Sequence, residues 1–334
     1  MSIGSKLYLY LGVERTCNLR CKHCHIWMNK NTDDILTTDQ LVRIVDEFGI
    51  YCRTNNKHGH IVFTEGEVLV NKLRAQAVFR ACRRHKLTTI LNSNGTLFDE
   101  YTVNMVHRLA INMVIISLDS HIPEVHDDWR GIVGTHAKAS KAVSDLVRIS
   151  GSKGRMSVHV NMTIRKGNID HLIDTAKYVH DLGAYGFNTQ LLTPTFANKN
   201  HTDKHYDEQW FHTEDEKKYA KEKLQEADVF IKTTKLFKYT QLDNVQLFSY
   251  LDGNVSTTTQ VCDSAAKNII VSPFGDVALC FGQVEHFKDI NLGTVKQNSL
   301  SGILNSQTVH DLRISMATCR ELCGTLNCHR KHDS

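Results

Sequence analysis

Six short apolar runs constrain this chain most, at 7–13, 60–64, 88–92, 112–118, 156–164 and 185–192. Each is bounded by turn or polar residues, as buried strands are. Amphipathic segments fill the gaps. Leu41, Ile44, Val45 and Phe48 recur at helical spacing, as do Val70, Leu73, Ala77 and Ala81, and then Ile169, Leu172, Ile173, Ala176 and Val179. The last of these helices is expected to end at Gly183. Strands alternating with helices predict an α/β fold on a parallel sheet. Periodicity leaves open whether that sheet is flat or curled. In both cases the loops after the strands gather at one rim, where such folds place their sites. "TEGEV" follows the second run, "NSNGT" the third, and "SLDS" ends the fourth.

The 334 residues are 41% hydrophobic and 23% charged, enough for one large domain and a smaller one. The net charge of +4 comes from interspersed signs, so no nucleic-acid partner is expected. No apolar stretch nears the roughly 20 residues of a membrane span, so no membrane partner is expected either. "SKLYLYLGV" reads as a first strand rather than a secretory signal. A cytoplasmic location follows, and with it reduced cysteines that serve as metal ligands.

Eight of the ten cysteines fall in two groups. Cys52 and Cys82 stand alone and read as small core residues. "ERTCNLRCKHC" carries Cys17, Cys21 and Cys24 as C-x3-C-x2-C, directly after the first strand. Soft thiolates select iron–sulfur clusters, zinc or copper(I). Three protein ligands, where a closed structural site takes four, leave a coordination position open for chemistry. Three thiolates can hold three irons of a four-iron cluster and free the fourth. A zinc site completed by His23 or His25 is the alternative.

The stretch resembles the CxxxCxxC signature of the radical S-adenosylmethionine (radical SAM) superfamily. "FTEGEVL", "SLDSHIPEVHDDWRG", "VNMTI" and "FNTQLLTPT" resemble that family's motifs on later strands, so the likeness spans residues 7–195. It implies a partial (β/α)6 TIM barrel. It also implies a [4Fe-4S] cluster on Cys17, Cys21 and Cys24, with S-adenosylmethionine on the open iron. An electron from a flavodoxin- or ferredoxin-type donor would cleave that nucleotide, and the 5′-deoxyadenosyl radical would abstract hydrogen from substrate. Position by position, His23 would contact the adenine, and Glu65, Gly66 and Glu67 would hold the methionyl amine. Ser117 and Asp119 would contact the ribose or the methionyl end, and Asn161 the ribose. Arg130 would take the carboxylate in a bidentate fork. Capping or turn roles for Ser117 and Asp119, and a surface ion pair for Arg130, stay open. Where the family often has GGEP, this chain has Glu65-Gly66-Glu67-Val68.

Residues 193–212 are polar and read as a loop or lid, with His201, His205 and His212 either lining a pocket or solvated. A charged helix is expected over roughly 213–238. "NIIVSPFGDVALC" signals a hairpin, and 299–317 a single helix. The tail cysteines Cys262, Cys280, Cys319, Cys323 and Cys328 resemble the auxiliary-cluster domains called SPASM and twitch, the nearest likeness being to 2-deoxy-scyllo-inosamine dehydrogenase. That implies one auxiliary [4Fe-4S] cluster in a small C-terminal α+β domain. Cys262, Cys280, Cys319 and Cys323 would be its ligands. Cys328 would be an alternative ligand, an inert thiol or a hydrogen-atom donor, and a four-thiolate zinc knuckle is the competing reading. The expected domains are 1–195, 196–260 and 261–334.

The first functional expectation is a radical SAM oxidoreductase that dehydrogenates or epimerises a small polar molecule. No peptide-recognition segment stands ahead of the first strand in this reading. The alternatives are a maturase of a ribosomally made peptide, and an iron–sulfur or zinc protein without S-adenosylmethionine chemistry.

Overall fold

The computed structural model describes residues 5–28, 32–151, 156–192, 202–234, 236–238, 244–253, 264–281, 290–317 and 319. All six apolar runs form strands: β1 (Lys6–Gly12), β2 (His58–Thr64), β3 (Thr88–Ser93), β4 (Met113–Ser117), β5 (Ser157–Ile164) and β6 (Gly186–Leu191). They pair in parallel, each with the next in sequence. Between them run α1 (Thr38–Thr54), α2 (Lys72–Arg84), α3 (Glu100–Arg108), α4 (Pro123–Arg130), α5 (Thr135–Ser150) and α6 (Leu172–Asp181). Alternate strand residues face these helices. Leu9, Ile61, Phe63, Leu91, Val114 and Val160 join the main core, with Cys52 and Cys82 buried in it. The opposite face carries a smaller cluster of Tyr8, Val62, Ile90 and Ile115. This is the six-unit partial-barrel arrangement.

The chain continues through α7 (Thr202–Gln209), α8 (Glu214–Thr234), α9 (Asn244–Leu251) and α10 (Ser264–Lys267). The hairpin then forms as β7 (Asn268–Val271) and β8 (Val277–Ala278). β7 pairs in parallel with β1, Leu9 opposite Ile269, so the tail extends the barrel sheet to the order β6-β5-β4-β3-β2-β1-β7-β8. Pro273 in the hairpin turn lies so close that a Cβ on Gly12 would meet its ring at 2.5 Å. Phe281 packs edge-on against Tyr10 of β1, 5.0 Å between centroids. At the far edge a bridge from Phe237 covers Gly186 of β6.

Four expectations need correction. The 299–317 segment is two helices, α11 (Leu300–Leu304) and α12 (Gln307–Met316), because Ser306 caps the second by accepting from Val309 N. The charged helix stops at Thr234. Residues 202–209 are helical, and Trp210 after them stacks on Tyr206 and meets Tyr250 edge-on. On α2 the buried face is Ala75, Val78, Phe79, Ala81 and Cys82, so of the expected stripe Ala81 is buried while Val70 and Leu73 are exposed. The motif after β2 is already a 3-10 turn at Val68–Asn71, which shifts the helical phase.

Asp99 caps α3, accepting from Thr102 N at 2.8 Å and from Lys72 Nζ at 2.6 Å. The Lys72 bond chiefly holds its carboxyl at about 2. Its side chain is 59% exposed, so the ion pair itself adds little and the cap dominates. Asp99→Ala is expected to cost about 1 kcal/mol at neutral pH. A carboxyl depressed by folding stabilises above its unfolded value near 3.9. The gap between wild type and variant in urea titrations should therefore close as pH falls from about 4 towards 2.

Candidate active site

Cys17, Cys21 and Cys24 sit in the loop that leaves the C-terminal end of β1. Two neighbouring loops hold it. On one side Glu67 N donates to Thr16 O at 2.9 Å. On the other, Arg20 N and Lys22 N donate to Arg130 O and Trp129 O at 3.1 and 3.0 Å. Gly131 ends α4 in the left-handed region, and a Cβ there would come within 2.3 Å of Arg20 O. Trp27 Nε1 closes the loop onto Cys21 O at 3.2 Å.

Burial pushes the Cys17 thiol up to about 12 and Cys24 to about 11. Cys21 is also raised by burial, against the pull of Arg130. Such thiols release their protons when a metal takes the sulfur. Among the described residues no three His, Cys, Asp or Glu side chains converge on a single-ion point. A cluster takes one thiolate per iron and does not ask for that convergence. Three soft donors with no fourth suit a cluster with one open iron.

Glu65 and Gly66 both adopt left-handed backbone, φ 62° and 57°. A Cβ on Gly66 would lie 2.5 Å from Thr16 O. Glu65 lies 3.6 Å from Arg15. Glu67 is fully buried, and its carboxylate accepts from Ser93 Oγ at 3.0 Å, Asn94 N at 2.8 Å and Leu69 N at 3.2 Å. Its oxygens are already engaged by the end of β3.

Ser117 and Asn161 are register partners across β4 and β5 and share one sheet face. Asp119 and Arg130, assigned separately by the resemblance, meet each other: Arg130 Nε donates to Asp119 Oδ2 at 2.6 Å. This pair is buried, which corrects the surface alternative for Arg130. Asp119 Oδ1 also accepts from Thr163 N at 2.9 Å. Burial alone would raise the Asp119 carboxyl, but Arg130 holds it at about 2. Arg130 Nη1 reaches Cys21 Sγ at 3.9 Å. His23 stacks on Trp129, 5.3 Å between centroids. Desolvation takes the His23 imidazole down to about 3, so it is neutral, and its Nδ1 is buried with no partner among the described residues.

Asn94 was not singled out by the sequence, although "NSNGT" was. Its Nδ2 lies 3.9 Å from Cys17 Sγ, and its backbone N–H holds Glu67. Polar residues at a strand end beside a metal loop were the available signal. His212 donates from Nε2 to Asp207 O, and its N–H donates to Glu216, a link between α7 and α8. His205 faces Glu208. His201 lies outside the described residues.

In the tail, Cys280 is buried just after β8, and Cys319 follows α12, its N–H on Met316 O. Arg313 of α12 donates to Ala265 O of α10 at 3.2 Å, and Ser264 Oγ donates to Leu279 O at 2.8 Å. Cys262, Cys323 and Cys328 lie outside the described residues.

Residues 13–191, more than half of the chain, match the model of the Radical SAM superfamily. The chain belongs to that superfamily. With it come a [4Fe-4S] cluster and S-adenosylmethionine, and the alternative without S-adenosylmethionine falls away. Residues 262–329 match SPASM, an iron-sulfur cluster-binding domain, which adds auxiliary iron–sulfur to this radical SAM protein. The antilisterial bacteriocin subtilosin biosynthesis protein AlbA of Bacillus subtilis is 25% identical over 307 residues, 92% of this chain and 61% of AlbA. An AdoMet-dependent heme synthase of Oleidesulfovibrio alaskensis is 25% identical over 186 residues, 55% of this chain and 45% of that protein. The chain thus spans less than two thirds of either relative. The crystal structure of Streptococcus suis SuiB bound to precursor peptide SuiA superposes with a TM-score of 0.70 at 13% identity, covering 97% of this chain and 71% of that one, a likeness of fold. Among the described residues no helix is long and apolar enough to cross a membrane.

Proposed function

We propose that this radical SAM protein is a maturase of a ribosomally made peptide. The observation that carries this reading is the reach of the AlbA match, which runs over 92% of the chain. The heme synthase match covers 55%. This favours a peptide over the small polar substrate expected from the sequence.

When bound, the cluster and S-adenosylmethionine supply a one-electron reductant and a source of a hydrogen-abstracting carbon radical. Cys17, Cys21 and Cys24 hold the cluster. Glu67 acts from beneath, its carboxylate fixing the 65–67 loop on β3 so that Glu65 and Gly66 present the methionyl site. Ser117 and Asn161 offer hydrogen-bonding groups for the ribose. The ring of His23, fixed in plane by Trp129, offers its unpartnered Nδ1 to the adenine. Arg130, held by Asp119 beside Cys21, would supply positive charge for the nucleotide carboxylate. Cys262, Cys280, Cys319 and Cys323 serve the auxiliary cluster, or Cys328 takes the place of Cys319 or Cys323. The electron donor is a small flavodoxin- or ferredoxin-type protein.

The test is anaerobic incubation of cluster-loaded protein with S-adenosylmethionine, dithionite and the peptides encoded beside its gene, each deuterated at candidate carbons. A mass change in one peptide, with deuterium in 5′-deoxyadenosine, is expected. Turnover of a sugar or aminocyclitol while every peptide stays unchanged would sink the reading.

A further inference from the structure

We infer that Asn94 and Arg130 set the reduction potential of the N-terminal cluster by donating hydrogen bonds to the sulfurs of Cys17 and Cys21. The inference rests on membership of the radical SAM family and is independent of the peptide reading.

Asn94 sits at the end of β3 with its side chain locked. Oδ1 accepts from Thr96 N at 2.9 Å and from Thr96 Oγ1 at 2.6 Å. The amide nitrogen must therefore be the end that faces Cys17 Sγ, 3.9 Å away. The same Nδ2 donates to Asn18 Oδ1 at 2.9 Å, and Asn94 N donates to Glu67. One residue thus ties the cysteine loop, the 65–67 loop and β3 together. Arg130 is fixed by Asp119 through Nε and turns Nη1 to Cys21 Sγ. Both donors are buried, as is Cys21, while Cys17 is half-buried. Backbone groups of Leu19 and Ile26 serve Cys17 and Cys24, and side-chain substitution leaves them in place.

Reduction adds negative charge to a cluster and its thiolates. A donor aimed at a thiolate sulfur stabilises the reduced state and raises the potential. Such outer partners also hold the metal, their loss typically costing about 10-fold or more in affinity. Asn94 and Arg130 are therefore positioning residues that act through the cysteines.

The experiment uses the full chain with reconstituted clusters and no peptide. A redox titration follows the reduced-cluster signal that S-adenosylmethionine perturbs, which marks the cluster with the open iron. Asn94→Ala and Arg130→Lys, the latter keeping the charge, are each expected to shift its midpoint to more negative potential. Iron loss to a chelator should quicken about tenfold in Asn94→Ala. Thr96→Val disturbs the same polar knot while leaving Nδ2 near Cys17, and should shift the midpoint less. The inference is overturned if Asn94→Ala loads full iron at the wild-type midpoint, or if Thr96→Val moves the midpoint as far. Should Asn94→Ala fail to load, Asn94→Leu, similar in size, uncharged and without the donor, decides by the same criterion. A peptide that goes unmodified would leave these midpoints untouched.

Discussion

Replacing Asp119 by Ala is expected to destabilise the protein by about 3–5 kcal/mol, the cost of leaving one member of a buried ion pair uncompensated. Arg130 would keep its charge in a site where 7% of its surface reaches solvent. Thr163 N would lose its acceptor as well. In thermal unfolding of the cluster-loaded protein this corresponds to a midpoint lower by on the order of 10 °C. Asp119→Asn keeps an acceptor for Thr163 and should fall between the two. A variant within about 1 kcal/mol of wild type would mean that the pair does not sustain this part of the rim.

Substituting Gly66 should strike the nucleotide site itself. Its φ of +57° alone costs an L-residue about 1–2 kcal/mol. The Cβ would also press to within 2.5 Å of Thr16 O and 2.7 Å of Glu14 O. These are backbone atoms just ahead of Cys17, so relief means moving the cysteine loop. Gly66→Val, measured by equilibrium binding of S-adenosylmethionine to iron-replete protein, is expected to bind at least tenfold more weakly, about 1.4 kcal/mol. Gly134→Ala is the control. Its φ is +84°, but no atom of the described residues lies within 4 Å of the added carbon, so only the backbone penalty remains and binding should be unchanged. Equal losses in both variants would refute the close-approach account.

The strands were legible because their two periodic faces both had partners to meet, and each matches its apolar run. α2 was misread for a physical reason. Val70 and Leu73 precede or open the helix on its exposed side, while the true stripe keeps the expected Ala81 and adds Ala75, Val78, Phe79 and Cys82, mixing small residues with large ones. The three leading cysteines were visible from spacing alone. The partnership of Asp119 with Arg130 was not, since they stand on a loop and a helix end and meet only through the turn of α4. Asn94 escaped notice because its role is set by Asn18 and Glu67, neighbours from two separate segments.

The pairing of β7 with β1 has a bearing on how the chain is made. Leu9 and Leu11 are translated well before Ile269 and Val271, which lie beside them in the sheet. Until β7 has been made, β1 presents an unpaired apolar margin, the kind of surface that recruits strangers. Closing so long a loop is slow. The strand that leads into the cysteine loop therefore has its outer edge closed only by a much later part of the chain, and chains cut short before β7 would leave that edge open.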